Sequence, residues 1–322
     1  LHIHTGVGNL GTFSHSATAR IAAEVLKYDW DNVVLERGDS RRHLPWNIGQ
    51  FGSNTSFTMS RTNYVAAMDA VAKLKEIAAT DLGGKPDEYD IDGKRVFARA
   101  NPSKALTYGA AAQRAIEIKG KYSGGEAPDD INPLTKASVA ALAGTGLIGV
   151  AKDNLPVGGQ TAAFVAAFIE IELDVETGQH RILDFLSVAD CGTVIHPAGL
   201  ATQAKGGAAQ GFGMACLERY VYDPQNGLPA TIGLHQAKPA TYLDMPLAMQ
   251  TDAVDKPDPM SPLGTKGVGE PLMGCAAAAL LCAISDALGG HVFNRTPVTP
   301  DMIVNFTGGR PQSHKRLQVN TY

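Results

Sequence analysis

Apolar residues recur along this chain with two periods, near 2 and near 3.6, and each period marks an element. Alternation over 1–5 and 33–36 predicts two short strands, and helical spacing predicts helices over 17–26, 64–79 and 108–116. Residues 90–98 read as a hairpin around Asp92-Gly93, and 119–159 as a long irregular stretch rich in Gly, Pro, Asp and Asn. Two β-rich runs, 162–174 and 181–189, meet at Glu176-Thr177-Gly178 as an antiparallel hairpin. The small-residue stretch from Gln203 to Gly213 opens a helix reaching about 217. A helix over 272–288, ended by Gly289-Gly290, is almost all Ala, Leu, Cys and Ile, and such an all-round apolar helix is expected to be buried.

The first residue, Leu1, falls inside the first strand, so a preceding segment or a partner strand is expected to pair with it, because an uncovered edge is a liability. The chain is accordingly expected to be stable only beside partners. His2 and His4 share one face of that strand, the spacing of a two-His metal site, but no third ligand lies nearby and a polar strand face is the simpler reading.

With 322 residues, 44% hydrophobic, 19% charged and a formal net charge of -4, the chain has material for one large or two medium globular domains. No apolar run free of polar residues is long enough to span a bilayer, and no basic block follows a nucleic-acid backbone, so membrane insertion and nucleic-acid binding are not expected. Cys191, Cys216, Cys275 and Cys282 lack a C-x-x-C pair, so no zinc or iron–sulfur site is read from them, and a reducing, cytoplasmic compartment is the simplest expectation. Asn54-Thr55-Ser56, Asn294-Arg295-Thr296 and Asn305-Phe306-Thr307 match the glycosylation pattern by chance.

Candidate chemistry concentrates in Lys266-Gly267-Val268-Gly269-Glu270-Pro271. Two glycines let the backbone approach a bulky group, Pro271 suits a first helical turn, and Glu270 stands at a helix N-terminus. Burial at the top of an apolar helix raises a carboxyl pKa and the helix dipole lowers it, opposing effects that suit a general base; a helix-start Glu that only complements the dipole is the bland alternative. The Gly-rich loop 6–16 leads into a helix and is expected to aim backbone N–H groups at a phosphate or a heteroaromatic edge, although it is neither a dinucleotide fingerprint nor a P-loop and opens no run of parallel βα units. The polar loop 47–60, with Gln50, Ser53, Asn54, Thr55, Ser56 and Thr58, suits a polar cofactor or a solvated loop with an N-cap. The small residues around Gln210 leave room for a flat ligand or for another backbone.

Taken in order, Ala189-Asp190-Cys191-Gly192, Ile195-His196-Pro197, the stretch from Gln203 to Gly213 and Gly267-Val268-Gly269-Glu270-Pro271 resemble the molybdenum hydroxylases of the xanthine dehydrogenase and aldehyde oxidase family. The resemblance covers nearly the whole chain and corresponds to about the C-terminal half of that family's molybdopterin-binding subunit. It implies an α+β fold with mixed or antiparallel sheets and packed helices, in two intertwined cofactor-binding regions, 1–160 and 161–322, the second carrying the catalytic Glu270.

By the same resemblance the cofactor-binding residues are Gly11, Thr12, Phe13, Ser53, Ser56, Phe57, Thr58, Gln203, Gln210, Lys266, Gly267, Val268 and Gly269. Thr12 and Phe13 depart from the family's usual Gly-Gln-Gly, and Phe57-Thr58 from its Ser-Arg. The implied cofactor is molybdenum-molybdopterin in its cytosine dinucleotide form, with the metal held by the pterin rather than by side chains, which explains the absence of a ligand cluster in the sequence. The implied reaction inserts water-derived oxygen at an electron-poor carbon of an aldehyde or N-heterocycle, with Glu270 as base. Electrons then leave to [2Fe-2S] centres on an iron–sulfur partner subunit, with or without FAD on a flavin subunit, and the other half of the molybdopterin subunit is a further partner. A reductive aryl-thioester dehydroxylase and a non-catalytic cofactor-binding subunit are the alternatives.

Overall fold

The structure, a computed structural model, describes residues 1–314. It divides into two compact units, Leu1–Thr161 with Pro257–Gly267, and Ala162–Lys256 with the residues from Val268 onward.

In the first unit β1 (His2–His4) pairs in parallel with β2 (Val34–Glu36), joined by α1 (Ser14–Val25). One neighbour of β1 is therefore this chain's own β2. Parallel pairing needs a long crossover, and α1 provides it, so the Gly-rich loop does open one βαβ unit. The strand histidines serve that unit: Nδ1 of His2 lies 3.2 Å from Glu36, and Nδ1 of His4 lies 3.2 Å from the Arg42 carbonyl oxygen. Among the described residues no group of three metal-ligating side chains forms.

Next comes α2 (Thr55–Leu82), 28 residues long and starting well before the helix expected from position 64. Hydroxyl residues made its first turns look like a loop, but tertiary contacts of Ser60 and Arg61 outweigh that local preference. Beyond it β3 (Tyr89–Ile91), β4 (Arg95–Ala98) and β5 (Asn101–Thr107) form an antiparallel sheet. The Asp92 carboxylate accepts the Lys94 and Arg95 backbone N–H groups at 3.1 and 3.0 Å and closes the expected hairpin; β5 was not foreseen. Thr107 caps α3 (Tyr108–Ile118) through the Ala110 N–H at 3.1 Å. The stretch expected to be irregular contains α4 (Pro133–Ala141), capped by Asn132 with Pro133 in its first turn, a start signal readable in retrospect. Val71, Leu74 and Ile77 of α2 pack with Tyr89, Ile91, Val96, Ala111 and Ala115 to make the core.

Two buried cations on α2 tie the chain after α4 to that helix. Lys73 Nζ donates to Asp69 at 2.6 Å and to the Ile148 carbonyl at 2.8 Å, while Asp69 accepts the Val150 N–H at 2.8 Å. Arg61 does the same for residues 153–156, as described below.

The second unit starts with β6 (Val165–Leu173) and β7 (His180–Ala189), the expected antiparallel hairpin. The chain then enters α5 (Pro197–Phe212), which passes into a five-residue π-helical turn, Gly213–Leu217. After α6 (Leu234–Ala237), β8 (Ala248–Ala253) adds to β7 in parallel, a third strand not foreseen. The unit ends with α7 (Glu270–Ala287) and α8 (Pro300–Thr307). Its core joins Ile182 and Phe185 of β7 to Phe212, Cys216, Leu280, Ile284, Val298 and Ile303. The Phe185 and Phe212 rings meet edge to face with centroids 5.3 Å apart, and burial pushes the Cys216 thiol up to about 12.

The helix expected to open at Gln203 begins at Pro197, because the His196 Nδ1 accepts the Gly199 N–H at 2.8 Å and ends the preceding turn. Its small residues admit another backbone. A Cβ on Gly211 would sit 2.4 Å from the Met273 carbonyl oxygen, and one on Gly207 would sit 2.9 Å from the Leu272 Cβ, so α7 rests directly on α5. The opposite face is open at Gly206, where a Cβ would meet nothing.

The expectation that α7 is buried all round is corrected. Only Leu272, Ala276, Leu280 and Ile284 are buried, one stripe at a spacing of four, and Gly274, Ala278 and Cys282 are exposed. Alanine on every face supplied apolar character without marking which face packs. The helix is also the one candidate membrane span among the described residues, by length and composition.

Gly211→Val should force α5 and α7 apart and destabilise the protein by about 1–3 kcal/mol, the usual range for overpacking. Gly206→Ala, on the same helix but in open space, should stabilise it by roughly 0.5–1 kcal/mol. Chemical denaturation of both variants checks the contrast, and equal effects would contradict the packing described.

Candidate functional site

The first unit gathers three of the sequence-predicted stretches. Gln50 organises two of them: its Oε1 accepts the Leu10 N–H at 3.1 Å, and its Nε2 donates to Thr12 Oγ1 at 3.1 Å and Ser14 Oγ at 2.5 Å. The Thr12 and Ser14 hydroxyls also share a hydrogen bond. Asn9 Oδ1 accepts the Thr12 and Phe13 N–H groups at 2.9 and 3.0 Å. The loop thus differs from the expectation that its N–H groups aim outward, because side-chain oxygens satisfy three of them. A glutamine amide nevertheless stands beside Thr12, brought there by the 47–54 loop rather than by position 12 itself.

Gly11 is exposed with φ of 75°, and Gly52 with φ of 64°, and neither has a neighbour where a Cβ would stand. At Gly11 the space beside the backbone leaves room for a ligand to approach. Beneath the loop His15 is buried, and desolvation followed by the nearby Arg37 charge holds its pKa below the usual histidine value.

The third stretch is the end of Pro257–Gly267. A Cβ on Gly267 would fall 1.6 Å from the Ser53 carbonyl oxygen and 3.0 Å from the Asn54 Cα, so this glycine is pressed onto the backbone just ahead of α2. The bulky group that Gly267 accommodates is the chain itself. Ser53 takes a left-handed conformation, φ 53°, to enter the helix. Ser56, Phe57 and Thr58, expected on a loop, lie in the first turns of α2; Ser56 and Phe57 are half-buried and Thr58 is exposed. The Phe57 ring lies 5.3 Å from the Arg61 guanidinium, which gives this departure from the family pattern a local partner.

In the second unit Glu270 is the first residue of α7, with Gly269 as N-cap, Pro271 behind it and Val268 half-buried. Its side chain is exposed, so the desolvation expected of it is not supplied by this chain's own core. Gln203 is half-buried on α5. Gln210 is exposed, on the side of the α7-facing stripe that carries open Gly206, rather than between two packed faces. Thr202, Gly206 and Gln210 recur every four residues along that face, a flat strip with an amide at one end.

Sequence reasoning passed over Asn9, Arg61 and Asp153. A signal existed for Arg61: it falls on the buried stripe of α2, four residues before Val65, where a cation needs a partner.

In the first unit exposed Gly11 and the hydroxyls of Thr12, Ser14, Ser53 and Ser56 suit a polar, phosphate-bearing ligand, and in the second the Gln210 strip with open Gly206 suits a flat ring, so each unit by itself offers donor chemistry that fits a pterin cofactor. The molybdopterin cofactor-binding domain model matches residues 1–246. The gamma subunit of the 6-hydroxypseudooxynicotine dehydrogenase complex of Paenarthrobacter nicotinovorans is 27% identical over 302 residues, covering 94% of this chain and 35% of that protein. The molybdenum-binding subunit PaoC of the Escherichia coli K12 aldehyde oxidoreductase is 27% identical over 313 residues, covering 94% and 36%. Quinoline 2-oxidoreductase from Pseudomonas putida 86 superposes with a TM-score of 0.70 at 25% identity, covering 96% of this chain and 37% of that one. The chain spans about a third of the length of these relatives. Glu270 lies past the residues that the domain model matches and within the reach of the longer alignments.

Gln50→Ala should release the 8–14 loop at a cost of roughly 1.5–4.5 kcal/mol, given about 0.5–1.5 kcal/mol net for each of the three hydrogen bonds lost. Amide exchange at Leu10 should quicken while the core of α1 keeps its protection. Unchanged exchange at Leu10 would show that Gln50 does not hold the loop. The match over residues 1–246 and the shared fold place this chain in the molybdopterin cofactor-binding domain family of the molybdenum hydroxylase large subunits.

Proposed function

We propose that this chain is the catalytic-glutamate-bearing part of a molybdenum hydroxylase that oxidises an electron-poor carbon of an aldehyde or an N-heterocycle. The observation that carries the reading is Glu270: an exposed carboxylate fixed as the first residue of α7, three positions after a glycine seated on Ser53. A bound molybdopterin supplies the two-electron oxidation. Glu270 accepts a proton from the hydroxyl that becomes the inserted oxygen, and the α7 N-terminus favours its anionic, proton-accepting form. Gln210 and Gln203 hydrogen-bond the polar edge of the pterin along the α5 strip. Gly11, Thr12, Phe13, Ser53, Ser56, Phe57, Thr58, Lys266 and Gly267 of the first unit, and Val268 and Gly269 of the second, would bind the cofactor as well.

The names of the relatives support the substrate class, since one is an aldehyde oxidoreductase and another acts on quinoline. A cytosine dinucleotide form of the cofactor fits the two helix starts, which suit phosphates. Electrons leave through [2Fe-2S] centres on a partner subunit, with or without FAD on another, since Cys191, Cys216, Cys275 and Cys282 are scattered over buried, half-buried and exposed positions rather than clustered. The remainder of the molybdopterin subunit covers the exposed Glu270 and Gln210 and excludes water from them. Scattered cysteines also suit a reducing, cytoplasmic compartment.

Metal analysis of the native assembly should find about one molybdenum per copy of this chain, together with a releasable pterin dinucleotide. Active assembly without molybdenum would sink this reading.

Glu270→Gln keeps shape and hydrogen bonding but cannot take the proton. It should slow the reductive half-reaction by ~10² to 10⁴ with molybdenum content unchanged, whereas Gln210→Ala should lower cofactor content first. Stopped-flow reduction by an aldehyde, paired with metal analysis, separates the two. Near-wild-type turnover by fully loaded Glu270→Gln would make Glu270 a helix-start residue only.

A further inference from the structure

Arg61 has no part in the function proposed above, yet it is the most heavily bonded side chain of the first unit. It is 2% exposed, and all five of its N–H groups are engaged. Nε and Nη2 grip the Asp153 carboxylate at 2.7 and 3.0 Å. Nη2 also donates to the Leu155 carbonyl at 2.5 Å, and Nη1 to the Pro156 and Met260 carbonyls at 3.2 and 2.5 Å. A single guanidinium on α2 thus joins two segments far apart in sequence.

The segment reached through Met260 is Pro257–Gly267, which leaves the neighbouring sequence to pack with the first unit. It is a small closed loop: the Asp258 N–H donates to the Gly264 carbonyl at 2.8 Å, the Gly264 N–H to the Ser261 carbonyl at 2.9 Å, and Asp258 Oδ1 accepts the Met260 N–H at 2.8 Å. Further contacts fasten it. Ser261 Oγ lies 3.3 Å from Ser60 Oγ, Met260 Sδ lies 3.1 Å from the Gly158 nitrogen, and Ser60, Ser261 and Thr265 are all buried. The loop ends on Gly267, seated on Ser53 and Asn54. Both ends of this arrangement rest on α2: Met260 on Arg61, and Gly267 on the residues just before Thr55.

We propose that Arg61 is a positioning residue that sets the register of Pro257–Gly267 on α2, and so holds Ser53 and Lys266–Gly267 as one preformed platform for the cofactor. The inference rests on the cofactor-binding reading. Planar geometry is what the position requires, because only a guanidinium can hold a carboxylate with one edge while reaching carbonyl groups with its remaining donors. A lysine would balance the Asp153 charge but could not span both segments.

The test compares Arg61→Lys, Arg61→Met and the double variant Arg61→Met with Asp153→Asn in the native assembly, by hydrogen–deuterium exchange, melting temperature, and molybdenum and pterin content. Arg61→Lys keeps the charge and is the mildest of the three, so it reports even where Arg61→Met fails to fold. The double variant removes the stranded carboxylate, and its melting temperature should lie closer to wild type than that of Arg61→Met. In Arg61→Lys and in the double variant alike, amides 258–267 should exchange at least about tenfold faster than in wild type while 65–78 of α2 stay protected, because a local opening is released without global unfolding. Molybdenum per folded chain should fall below half of the wild-type value. A purely charge-balancing or stabilising role predicts rescue by Arg61→Lys, or by the double variant, and either rescue overturns the proposal. Unchanged exchange at 258–267, or faster exchange at full molybdenum content, overturns it as well. A wild-type assembly without molybdenum instead sinks the cofactor-binding reading, whereas a loaded wild type beside equally loaded variants sinks only the role of Arg61.

Discussion

Backbone pressed on backbone, with no side chain between, is the constraint on which each unit depends. At Gly211 it lets α7 lie against α5, and at Gly267 it brings a distant segment onto the start of α2. Any Cβ at either place would fall inside a carbonyl oxygen's contact radius, so the two glycines are fixed by packing rather than by a ligand. This reverses part of the usual inference from a small-residue stretch. Within one stretch of α5, Gly207 and Gly211 serve the neighbouring helix while Gly206 faces open space, and only the latter leaves a surface for something flat. The two faces are interleaved in sequence and separate in space.

Charge does for the first unit what close packing does for the second. A long, largely irregular stretch follows α3, with α4 as its one α-helix. Lys73 and Arg61, placed twelve positions apart on one helix, hold it by hydrogen-bonding its carbonyls, each cation neutralised by an aspartate. Removing one member of such a pair leaves a buried charge unpaired, which typically costs about 3–5 kcal/mol, so both anchors depend on their partners. Directional bonds to named carbonyls fix where the chain lies along the helix, which a greasy contact would leave free to slide.

Much of the framework was legible. The β6–β7 hairpin followed from alternation and from Glu176-Thr177-Gly178, and Glu270 at a helix start followed from Gly269 and Pro271. The errors share a cause: in each case tertiary contacts decided what local composition left ambiguous. Thr55, Ser56 and Thr58 look like a loop until Ser60 and Arg61 are anchored, and α4 hid in a stretch whose Gly, Pro and Asn content masked the Asn132-Pro133 start signal. β8 pairs with β7 across some sixty intervening residues, a contact that no window of sequence contains. The faces of α7 could not be told apart because alanine fills nearly all of them.

The candidate site was readable in a different way. A metal held by side chains leaves a spacing of His, Cys and carboxylates in the sequence, and such a signal can be checked residue by residue. A cofactor held through backbone donors, hydroxyls and glycines leaves only order, the succession of weak motifs along the chain. On the resemblance drawn from the sequence Thr12 stands where a glutamine is expected, and Gln50 brings a glutamine amide to the same loop from another segment. Phe57 departs from the family pattern and is taken up by Arg61. Substitutions at such a site are therefore better judged by what the surrounding loop does to replace the lost group than by the identity of the position alone. By that measure Thr12 is held by the Gln50 amide and Phe57 lies against the Arg61 guanidinium, so each has a partner brought in by its own loop or helix.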